Sequence, residues 1–204
     1  MNSAPPQKQQ ETPLARASGR VRAISDAYRE RAFLPIQDEI EGVPVRHMTA
    51  RQLNALQAIR SPFIYGGMPT AEEVAAFLWF ISPLYNAAGN GRDEFTMVVG
   101  QLDYIRTLIT IRKYLDRTFL DLPGAPASGK SFPISSTAGL VDDLAEAYGW
   151  SEETILDMPL VRVLQYVKRQ RSKKNPEAPV FDKLVDRLRD RYYRRKTARK
   201  SVNG

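Results

Sequence analysis

Apolar residues in this chain recur at intervals of three and four, and no stretch of five or more residues alternates convincingly between apolar and polar. A period near 3.6 builds one buried stripe along a helix, whereas a half-buried strand needs a period of two. The pattern therefore predicts an all-α protein, a small helical bundle. Its 14 prolines and 12 glycines supply the stops between helices. With 204 residues, 43% of them apolar, the chain can fill a core of ordinary size.

Residues 1–19 contain Pro5, Pro6 and several glutamines but no apolar period, and are expected to form a disordered tail. A first helical block is expected over 20–122. It begins with a short helix from Arg20 to Ala32, which Pro35 ends. Residues 36–48 read as extended or irregular, and 61–69 as a loop. Thr49 is a candidate N-cap for a helix carrying Leu53, Leu56 and Ile59. Thr70, with Glu73 three residues on, forms a capping box that opens a helix apolar on nearly every side. That helix belongs at the centre of the core. One long helix is expected from 93 to 120, with Leu102, Ile105 and Ile109 packed against Phe77, Trp79 and Ile81.

A flexible loop at 123–135 separates this block from a second one, 136–204. There Gly149 follows a helix end and is expected to have positive φ. Trp150 should wedge the junction, against Leu144, Ile155, Leu160 and Leu164. Ser151 caps a short helix, Pro159 opens the next, and a strongly basic helix ends the chain.

Residue inventory excludes several chemistries. There is no cysteine, so disulfides, thiolate catalysis and Cys-based metal sites are ruled out. His47 is the only histidine, so a multi-His metal centre is impossible. Flanked by Arg46 and Met48, it reads as structural. No apolar run approaches the roughly 18 residues of a membrane span, and the first residues lack the apolar core of a signal peptide. No constellation of nucleophile, base and oxyanion donor emerges, so an enzyme is not expected, and neither is a cofactor or a metal.

Charge is segregated. Residues 161–204 hold 15 Lys and Arg against 4 Asp and Glu, while the preceding 160 residues hold 15 against 19. A basic end attracts nucleic acid or an acidic protein partner. Arg187, Arg191 and Arg194 are the candidate contacts there, with Tyr192 beside them as an aromatic contact.

Gly124-Ala125-Pro126-Ala127-Ser128-Gly129-Lys130-Ser131 fits the phosphate-cradling pattern G-x-x-x-x-G-K-[ST]. The pattern works only between a buried strand and a helix N-terminus. Here a helical period precedes it and Pro133 follows it, so Gly124, Gly129, Lys130 and Ser131 read as a false match within a loop. Residues 143–156 carry helix-turn-helix punctuation. Their second helix opens with Glu152 and Glu153, which phosphates would repel, so a packed helical hairpin is expected.

Tyr148-Gly149-Trp150-Ser151 and Ile155-Leu156-Asp157-Met158-Pro159-Leu160 resemble a pattern of the tail assembly chaperones of long-tailed bacteriophages. The segment from Met48 to Phe63 is similar to phage tail-region proteins, less specifically. The resemblance covers about a sixth of the chain. The chain is longer than many such chaperones, and its basic C-terminus departs from the pattern. The resemblance implies a non-enzymatic protein of the host cytoplasm that binds the tape measure protein and assists assembly of the tail tube, with the tail tube protein as a second partner. Trp150 is the candidate partner contact within it. A helical nucleic-acid-binding protein, and more remotely a P-loop NTPase, are the alternatives.

Overall fold

Capping residues set the helix boundaries in the computed structural model. It describes residues 12–35, 37–86, 88–122, 135–177 and 182–202, with backbone alone at 136, 192 and 195–202. The Thr12 hydroxyl accepts from the Ala15 amide at 3.2 Å, and Pro13 fills the first turn of α1 (Pro13–Arg31). Helix thus begins at Pro13, inside the stretch expected to be disordered up to residue 19. Proline fits the first turn because no partner is needed there for an amide hydrogen. In addition, α1 lies along the distant C-terminal helix, a contact that local composition cannot reveal.

The 36–48 segment holds a short antiparallel hairpin, β1 (Asp38–Ile40) and β2 (Val43–Val45), with Ile40 opposite Val43. Its turn places Glu41 at φ 50° and Gly42 at φ 82°, the twist that two-residue hairpins favour. Glu41 is held there by the Thr110 hydroxyl at 2.7 Å and by Arg106 at 2.6 Å.

Reciprocal capping boxes open α2 (Ala50–Ala58) at Thr49 and α4 (Ala71–Ile81) at Thr70. Between them Pro62 starts a one-turn helix, α3 (Pro62–Tyr65), within the segment expected to be a loop. The long helix expected over 93–120 is two helices, α5 (Arg92–Gly100) and α6 (Tyr104–Thr118). The Asp103 carboxylate accepts from the Arg106 amide at 2.7 Å and caps α6. That bond offers the backbone an alternative to a continuous ladder.

The break resets the helical phase. Ile105 and Ile109 are 58% and 52% exposed, so they do not form the expected core contact. The buried face of α6 is instead Thr107, Ile111, Tyr114 and Leu115. As expected, α4 is central, with Val74, Phe77, Leu78, Trp79 and Ile81 buried. Trp79 meets Phe95 edge-on at 5.3 Å, and Phe77 lies 4.4 Å from Phe63.

The C-terminal half contains α7 (Ser136–Tyr148), α8 (Glu152–Asp157), α9 (Leu160–Lys174) and α10 (Lys183–Val202). Gly149 has φ 68°, as a helix-ending glycine should. Trp150 does join Leu144 and Ile155, but its other neighbours are Tyr148 and Tyr166. Leu160 and Leu164 belong to the main core, beside α4 residues. That core therefore draws on both sides of 123–135. A Leu160 amide bond to the Met48 carbonyl at 2.6 Å ties the two sides together.

A buried charge cluster fixes the helix ends around α1. Asp121 is fully buried and accepts two bonds from Arg29, each at 2.9 Å, and one from Lys168 at 2.7 Å. Asp182, just before α10, also reaches Arg29 at 3.4 Å. Two positive charges around one buried carboxylate are tolerable because each donor finds an acceptor.

Candidate functional site

Four elements leave an apolar trough between them. Ile24 on α1, Tyr65 at the end of α3, Met68 after it and Ile109 on α6 are 57%, 64%, 72% and 52% exposed. They line one groove of about 930 Å³, together with Leu184 and Leu188 of α10. Ile109 and Met68 have local reasons for pointing there. The phase reset at Asp103 turns Ile109 outward. Gly66 and Gly67, with φ of 88° and 128°, swing the chain so that Met68 projects beside Tyr65. Exposed apolar side chains gathered in one concavity make this groove a candidate binding surface.

The rim is cationic. Arg112, Lys113, Arg187 and Arg191 line the groove with Asp116, and Asp116 is the only carboxylate among the described lining residues. Asp116 is engaged by Arg187, Nη1 to Oδ1 at 2.5 Å. On the other side of that ion pair lies a second apolar depression of about 740 Å³. It shares Phe63, Ile64, Arg112 and Leu115 with the first and continues to Leu53 and Leu140. Lys183 opens into this second depression. Burial lowers its pKa, and the charge of Arg187 adds to the effect.

This geometry gathers only some of the residues singled out by sequence. Arg187 and Arg191 line the groove; Arg194 is exposed one helical turn beyond Arg191. Tyr192 lies on the backbone of α10, and its side chain is outside the described residues, as is the whole stretch Gly124, Gly129, Lys130 and Ser131. Trp150 lines no part of the groove. It sits at the α7–α8 turn, stacked on Tyr148 at 4.5 Å. The groove's apolar lining has no sequence signature, because its residues come from separate elements and carry no shared motif.

His47 is occupied structurally. Its Nδ1 is hydrogen-bonded to the Tyr28 hydroxyl at 3.2 Å, with the rings edge-on. Burial lowers its pKa, against the opposing charge of Asp38. Burial also pushes the Tyr28 phenol up to about 12. Among the described residues, no group of three or more His, Cys, Asp or Glu side chains could hold a metal ion. Nor is any described helix long and apolar enough to cross a membrane.

No known family model, curated protein or solved structure matches this chain.

Proposed function

We propose that this chain is a non-enzymatic binding protein that takes an amphipathic helix of a partner protein into the groove between α1, α3, α6 and α10. One observation carries the reading: a trough lined by Ile24, Tyr65, Met68 and Ile109 is rimmed by cations and has, among the described residues, a single, already paired, carboxylate. Helix-in-groove recognition uses such a floor for residues at i, i+3, i+4 and i+7. The rim selects partners with acidic flanks, steering them in and disfavouring basic ones.

The finer reading is a tail assembly chaperone acting on the tape measure protein in the host cytoplasm, with tail tube protein as a second partner. It is supported by the likeness of Tyr148-Gly149-Trp150-Ser151 and Ile155–Leu160 to those chaperones. A long helical protein with apolar stripes is the kind of client such a trough would cover until assembly.

Co-expression with the long helical protein of the same tail gene cluster tests this. Arg191→Glu with Arg112→Glu should abolish co-purification at an unchanged melting temperature. Undiminished co-purification would remove the groove from the account. Arg187 is a poor choice for charge reversal, because it is already paired with Asp116.

A further inference from the structure

We propose that a second surface, on α9, binds single-stranded nucleic acid through an aromatic platform and a line of cations. It goes beyond the groove reading and shares no residue with it.

Arg162, Tyr166, Arg169 and Lys173 follow one another at spacings of four, three and four along α9. Those spacings align them on one face. Leu160, Leu164 and Val167 occupy the opposite, buried face. Rings gather around Tyr166. Trp150 meets it edge-on at 4.9 Å, Tyr148 at 5.5 Å and Phe33 at 6.2 Å. None of the four rings is fully buried, and Phe33 is exposed. Arg162 lies 4.8 Å over the Phe33 ring and is anchored by a 3.2 Å bond from Nε to the Ala32 carbonyl. Its charge is therefore held in place at one end of the platform.

Arg169 and Lys173 continue the line in solvent, and neither pairs with a carboxylate among the described residues. Glu152 and Glu153, in the first turn of α8, bound the patch beyond Trp150. A strand would therefore run from the rings toward the α9 C-terminus, where the last turn adds Arg171 and Lys174.

The chemistry favours a single strand over a duplex or a helical peptide. Single strands expose π-faces that stack on aromatic side chains whatever their sequence, while cations follow the phosphates. A duplex hides those faces. A helical peptide needs an aliphatic trough, which this surface lacks and the groove between α1, α3, α6 and α10 supplies.

Fluorescence anisotropy with a labelled oligothymidylate of about 15 nucleotides tests the proposal on the full chain. Three phosphate contacts, at Arg162, Arg169 and Lys173, predict a slope of about −2 for log K against log salt. Arg169→Glu with Lys173→Glu should weaken binding at least about tenfold, and Tyr166→Leu at least about fivefold. Tyr166 is partly packed, so the exposed charge pair keeps the test decisive even if that variant unfolds. Binding should quench tryptophan emission, and Trp150→Phe should remove the quenching. Ile109→Glu, in the groove, should leave oligonucleotide binding unchanged, so failure of one surface is distinguishable from failure of the other. No binding at low salt, binding that survives the double charge reversal, or equal competition by poly-glutamate would each overturn the proposal.

Discussion

Arg187 on α10 and Asp116 on α6 meet at 2.5 Å, and their contact divides two apolar depressions. The pair engages Asp116 inside the molecule and leaves Arg112, Lys113 and Arg191 exposed. Asp116→Asn should release Arg187 for the partner. Because both side chains are partly exposed, stability should fall by less than about 1 kcal/mol. Affinity for an acidic helical peptide should rise a fewfold, measured by titration calorimetry. A clear loss of affinity would show that Asp116 itself recognises the partner.

Asp121 holds a different kind of pair. Its side chain is fully buried between Arg29 and Lys168. Asp121→Ala removes the buried acceptor of three charged hydrogen bonds and should cost about 3 kcal/mol in urea denaturation. A cost under about 1 kcal/mol would mean that water reaches the cluster.

Stability should depend on pH through His47. Burial holds its native pKa below the usual 6.5, so the unfolded chain binds the proton more readily. The contribution is complete above about pH 7 and is lost as pH falls through 6.5 toward the lowered native value. Thermal melts between pH 5.5 and 8 should show this decline, and His47→Gln should flatten it. An equal decline in both proteins would assign the effect to other groups.

Trp79→Ala should cost about 3–5 kcal/mol, because the ring is buried against Phe95. Ile105→Ala should cost less than about 1 kcal/mol, because that side chain is in solvent. Comparable losses at the two positions would restore a continuous helix through residues 101–103.

These two residues also show what could be read from sequence. The burial of Trp79 is legible, because its helix has an unambiguous capping box and is apolar all round, but its contact with Phe95 is not. The exposure of Ile105 is not legible, because periodicity cannot see a short interruption that resets phase. The signal was Asp103, which has the chemistry of a helix start inside an apparently continuous pattern. Gly149 was legible because only a left-handed residue turns the chain between Tyr148 and Trp150. The start of α1 at Pro13 has a local signal in Thr12 and Pro13, a cap followed by a first-turn proline, whereas its packing against α10 has none. For the site, charge pointed to Arg187 and Arg191, whereas the floor of Ile24, Tyr65, Met68 and Ile109 exists only after folding.

The central claim is that this floor and rim take a partner helix. The direct measurement is binding of a fluorescent amphipathic peptide of about 20 residues, with an apolar stripe and glutamates beside it, to the wild-type chain and to Ile109→Glu. The account predicts saturable, salt-sensitive binding to the wild type and at least about tenfold weaker binding to the variant at an unchanged melting temperature. Equal binding to both proteins would contradict it.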